Sequence, residues 1–133
     1  MNKEIILQND IATLCYYPDH KIIHHTIHKF IYGEVFREVL MTGAETFERK
    51  SCQKWLSDDR KNPVLRKEDI EWGELYWKPK VLKAGWKYWA ILQPEKETGK
   101  IAMKPLIEEY LKSGVTVEIF DTPETALDWL MKK

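Results

Sequence analysis

Glycine and proline are sparse in this chain of 133 residues, six of each, and cysteine is sparser still, at two. Cys15 and Cys52 form no C-x-x-C pair, so neither a zinc ribbon nor a thiol redox motif is encoded. Two buried thiols in a reducing cytosol are the plain expectation, and no cofactor is implied. With so few glycines there is no phosphate-cradling loop of the G-x-x-x-x-G-K-[ST] or G-x-G-x-x-G type, and no G-x-S-x-G nucleophile elbow. A charge excess of either sign is lacking too, with 21 basic residues against 21 acidic ones. A nucleic-acid partner, which needs a basic face, is therefore not expected. No apolar run approaches the roughly 20 residues of a membrane span. The opening MNKEIILQND has too short an apolar run for a signal peptide. The expectation is one soluble, cytoplasmic domain over residues 1–133.

Tryptophan is abundant, with six residues: Trp55, Trp72, Trp77, Trp86, Trp89 and Trp129. That is more than a core of this size usually takes fully inside, and tryptophan is favoured at interfaces as well as in cores.

Hydrophobic periodicity sets out the elements. EIILQND, IATLCYY and IIHHTIHKFI are short, apolar and rich in β-branched residues, and Pro18 and Asp19 mark a turn between the last two. Residues 11–17 and 22–31 thus read as a hairpin. From Tyr32 to Ser51, apolar Val35, Phe36, Val39, Leu40 and Phe47 recur at helical spacing. CQKWLSD is a buried strand and DRKNPVLRKED a loop. Residues 70–85 are helical with a kink or break expected at Pro79, and Gly85 suits a C-terminal cap. WKYWAILQP is a strand, and residues 98–114 form a helix that Pro105 could divide. VTVEIFD is a strand, and TPETALDWLMKK is a helix with Thr122 as N-cap and Pro123 at its first position. Strands alternating with helices predict an α/β fold: a mixed five- or six-stranded sheet, mostly parallel, with an N-terminal antiparallel hairpin and about four helices.

Three of the four histidines fall in KIIHHTIHKF. Side chains alternate along a strand, so Ile23, His25, Ile27 and Ile31 share one face, which looks like the core side. His24, Thr26 and His28 share the other. His24 and His28 would lie about 13 Å apart at about 3.3 Å per residue. Two ligands of one ion must sit within about 4 Å of each other, so a metal site is not expected. Cys15 could meet His24 across the hairpin, but no nucleophile motif surrounds the pair.

Two groups of residues are candidate sites. The first is a rim at the carboxyl ends of the strands, where ligands sit in open α/β sheets: Asp58, Asp59 and Arg60, with Pro94 and Asp121 at the ends of the following strands. The alternative is structural, with Asp58 capping a turn and Arg60 pairing with it. The second is Trp72 and Tyr76, four apart and off the stripe formed by Ile70, Gly73, Trp77 and Val81. A second aromatic strip suits contact with a loop, another chain or a ligand; a wide core face is the alternative.

The motifs KWLSDDR, AGWKYWAILQP and VTVEIFDTPETALDWL together resemble the SpoIIAA-like group of STAS-type domains, more distantly the CRAL-TRIO lipid-binding domains, over roughly residues 20 to 131. The resemblance implies a non-enzymatic regulatory or protein-interaction module, with a homodimer possible and no identified protein partner. Its lipid-binding relatives imply the alternative, a binder of a small amphipathic, lipid-like ligand. The group's phosphorylated members carry a hydroxyl residue at the helix start that follows this strand. Here that segment reads VLRKEDI, without one.

Overall fold

A computed structural model describes all of residues 1–133. Six strands form one mixed sheet in the order β1-β2-β3-β4-β5-β6: β1 Glu4–Gln8, β2 Ala12–Tyr17, β3 Ile22–Ile27, β4 Lys54–Asp58, β5 Tyr88–Leu92 and β6 Thr116–Ile119. The first three pair antiparallel and the rest parallel. The helices are α1 Gly33–Arg49, α2 Lys67–Trp72, α3 Lys78–Lys83, α4 Glu97–Lys112 and α5 Pro123–Met131, with a π-helical turn, Gly73–Trp77, joining α2 to α3. Because α2, the π turn and α3 run on without a gap, the fold has four helical units, as the periodicity predicts.

The parallel strands step across the sheet in one direction. Crossovers of one hand then put their helices on the same face. The main core lies there, where α1, α3 and α4 cover Leu14, Ile23, Trp55, Trp89 and Ile91. α5 follows the last strand and makes no crossover. It packs on the opposite face, against Ile22, Leu56, Ala90 and Leu92. Strands β4 and β5 are covered on both sides, which is why every residue of each but the first is buried, Ser57 and Asp58 of β4 included.

Four of the six tryptophans, Trp55, Trp77, Trp86 and Trp89, are buried together in the main core. The aromatic surplus therefore fills the interior more than a surface. Each indole N–H has a partner: Trp55 donates to His25, Trp77 to the Leu40 carbonyl, Trp86 to the Tyr88 carbonyl and Trp89 to Ser57. A buried tryptophan needs such a partner, so these bonds specify where each ring sits.

Four boundaries differ from the sequence reading. β3 stops at Ile27, with one more ladder bond from the His28 N–H to the Ile11 carbonyl, although Ile31 still reaches the core. The helix expected from residue 70 starts earlier, at Lys67. Pro79 causes no break: the widened π turn just before it takes up the clash that its ring would make with the preceding turn. Pro105 does not divide α4 either. It lies on the solvent side with Ile101, so the carbonyl that loses its partner is on the wet face.

Candidate functional site

Asp58 ends β4 and points to the α5 side, where it is buried. Its carboxylate takes a two-pronged ion pair from Arg60, Nε to Oδ1 and Nη2 to Oδ2, both at 2.9 Å. The Arg60 carbonyl accepts from Glu95 N–H beside Pro94, so Asp58, Arg60 and Pro94 do share one end of the sheet. Glu95 and Glu124 also raise the Arg60 pKa, after the larger effect of its bond to Asp58. Asp121 is exposed at the same end of β6. Asp59 does not join this group. One residue beyond the strand, it turns to the other face.

There Asp59 Oδ1 lies 2.9 Å from His25 Nε2. On its other side His25 Nδ1 accepts from Trp55 Nε1 at 3.1 Å. An indole nitrogen can only donate, so His25 Nδ1 carries no proton. His25 is therefore neutral, with its proton on Nε2, which donates to Asp59. This buried relay joins β3, β4 and the loop after it. The alternation of the strand already placed His25 with Ile23 and Ile27 on the core side. A polar ring in such a place needs partners, and that requirement was the only sequence signal for the pair.

The relay forms part of the wall of a partly open cavity of about 70 Å³ at the carboxyl end of the parallel strands. Its apolar lining comes from the sheet, α1, the π turn and α4, with Phe36, Trp77, Trp89 of β5, Leu106 and Tyr110 prominent. Polar atoms are few: His25, Ser57, Asp59, Asn62, Asp69, Glu74 and the Tyr110 hydroxyl. Three residues of the π turn, Gly73, Glu74 and Trp77, line it. Such turns recur at functional sites because they redirect side chains that a regular helix would aim elsewhere. Nothing in the residue spacing marks this one.

Most of these polar groups are already engaged. Both oxygens of buried Asp69 accept from the Gly33 N–H at the start of α1, at 3.2 and 3.1 Å. Asp69 thus holds the start of α1. Glu74 meets Lys78 at 3.4 Å. Asn62 Oδ1 accepts from Ile31 N–H, and Ser57 Oγ accepts from Trp89. Tyr110 is the exception. Its ring is buried, and its hydroxyl bonds to no other residue but is not shut off from solvent. Burial, with a smaller effect of Glu74, pushes its pKa far up, so it stays a phenol.

Trp72 and Tyr76 pack ring to ring, with centroids 6.4 Å apart, but differ in exposure. Trp72 is half-buried, edge-on to Phe36 at 6.2 Å and beneath the Arg37 guanidinium at 5.6 Å. Tyr76 and its neighbour Leu75 are 61% and 68% exposed.

On the α5 face His24 has both ring nitrogens occupied, by the Tyr17 hydroxyl at 2.9 Å and Thr26 Oγ1 at 3.2 Å. Burial, chiefly, lowers its pKa to about 4. Cys15 stands opposite it across the hairpin, but neither nitrogen is free to activate the thiol. Both cysteines are free and buried; burial raises both thiols, Cys52 to about 11. Such thiols are inert. His28 meets Thr13 at 2.7 Å, apart from His24. No group of three metal-ligating side chains comes together, and no helix is long and apolar enough to cross a membrane.

Comparison with protein-family models, curated proteins and solved structures finds no match to this chain.

Proposed function

We propose that this chain is a small-ligand-binding module, with the cavity between the sheet, α1, the π turn and α4 as its site. The observation that carries the reading is the cavity itself, partly open, about 70 Å³ and lined mostly by apolar side chains, with the His25–Asp59 pair in its wall. A mainly apolar pocket with a few fixed polar groups, at the carboxyl ends of parallel strands, is the usual form of a small-molecule site. Nucleophilic chemistry fits the geometry poorly. His25 has no free nitrogen to serve as a base, and Ser57 has no base beside it. The site suits binding, and a small amphipathic ligand is its natural occupant. At about 70 Å³ the cavity has about half the volume of one known to take benzene. A ligand of a few heavy atoms fits it as it stands.

Isothermal calorimetry with isobutanol tests this. Saturable binding to the unaltered protein is expected, and its loss in Leu106→Trp, which fills the cavity from α4, with the melting temperature held or raised. No binding to the unaltered protein at millimolar concentrations overturns the proposal.

A second reading, a protein-interaction module of SpoIIAA-like type, is favoured by exposed Leu75 and Tyr76, which stand together on the outer side of the π turn. Their substitution by serine would weaken partner association and leave isobutanol binding intact.

A further inference from the structure

The cavity's charge balance says more about its occupant. No lysine or arginine lines it, while three carboxylates do: Asp59, Asp69 and Glu74. Two of the three are compensated. Asp69 holds the Gly33 N–H, and Glu74 has the Lys78 ammonium at 3.4 Å. Asp59 is not. Its adjacent cations turn away, Arg60 to Asp58 and Lys61 to Glu95. Its one side-chain partner is His25, which the Trp55 N–H keeps neutral. Asp59 is only 17% exposed in its side chain, so water screens it poorly. An anion in the cavity wall with no cation against it favours a positively charged ligand and repels a negative one.

We infer that the ligand of this cavity is a small organic amine, its ammonium group paired with Asp59 and its apolar body against Trp77, Trp89 and Leu106. The inference rests on the cavity being a ligand site and adds the class of ligand. Two features of the wall support it. The His25 N–H holds Asp59 Oδ1 and leaves Oδ2 for the ammonium. Trp77 and Trp89 add aromatic rings to the lining, and aromatic faces attract cations. Fatty acids and phosphates are excluded by the same balance, although their apolar parts would fit.

The test compares three probes of nearly equal shape, isobutylamine, isobutanol and isobutyrate, by calorimetry on the full chain at neutral pH. The amine should bind about tenfold or more tightly than the alcohol, since a charged hydrogen bond is being added, and isobutyrate should not bind. Asp59→Asn still accepts the His25 N–H, so it should fold; it should lose the amine's advantage and keep the alcohol's affinity. Equal affinity for amine and alcohol would refute the amine inference while leaving the ligand site standing. Preference for isobutyrate would refute it as well. Binding of none of the three would overturn the site itself. The comparison of probes on the unaltered protein decides the matter even if the variant fails to fold.

Discussion

Acidification should destabilise this protein through His24, and the size of the effect can be worked out. His24 is buried, with its ring stacked on Tyr17 and both nitrogens in hydrogen bonds. Burial is the main cause that lowers its pKa from 6.5 to about 4. The charges of Lys3 and Arg60 push the same way, and Asp58 opposes them. The folded pKa lies below the unfolded one, so the unfolded chain takes up the proton first. Stability from keeping this ring neutral is fully present above pH 6.5, falls as the pH drops, and is gone below about 4. Between pH 7 and pH 5 the loss comes to about 2 kcal/mol, from a shift worth about 1.4 kcal/mol per unit. Urea unfolding of the unaltered protein and of His24→Gln, each at both pH values, isolates this contribution. Glutamine keeps a polar partner for Tyr17 and Thr26 but does not titrate. The unaltered protein should lose about 2 kcal/mol more than the variant over that interval. Equal losses would show that His24 is not held neutral by burial.

Other substitutions probe the frame around the cavity. A Cβ on Gly43 would sit 2.5 Å from Trp55 Cη2, and Trp55 is fully buried and bonded to His25. Gly43→Ala should cost about 1–3 kcal/mol in chemical denaturation. Gly99 is under similar constraint, since a Cβ there would meet the Pro63 carbonyl at 2.7 Å. Gly99→Ala should lower the melting temperature by a comparable amount. Asp58→Asn should cost about 1–2 kcal/mol, because a buried charged hydrogen bond weakens while half-exposed Arg60 turns to water. If the Asp58–Arg60 rim also binds a partner, Arg60→Ala should weaken that association and barely change the melt.

Much of the fold was legible in the residues. Strand alternation placed His25 with Ile23 and Ile27 and His24 on the opposite face, and the sheet has that arrangement. Thr122 caps α5 through the Thr125 N–H as its position implies. The cavity was harder to see. Asp58 and Asp59 are adjacent acidic residues in the sequence. Which of them enters the cavity depends on where β4 ends, since side chains alternate faces up to that point. The π turn keeps the three- and four-residue spacing of an ordinary helix, so only Gly73 and Pro79 hint at it. Trp72 and Tyr76 are four apart and their rings meet, as that spacing implies. Their different exposures depend on Phe36 and Arg37, residues of another helix, which spacing within one segment cannot reveal.

The indole N–H signals of the six tryptophans offer the most direct test that the cavity is a ligand site. Trp77 and Trp89 line it, whereas Trp129 packs with Tyr88 and Phe120 on the other face of the sheet. In a titration of nitrogen-15-labelled protein with isobutylamine, the Trp77 and Trp89 signals should move and saturate together while Trp129 stays in place. Signals that do not move, or that all drift equally without saturation, would contradict the account.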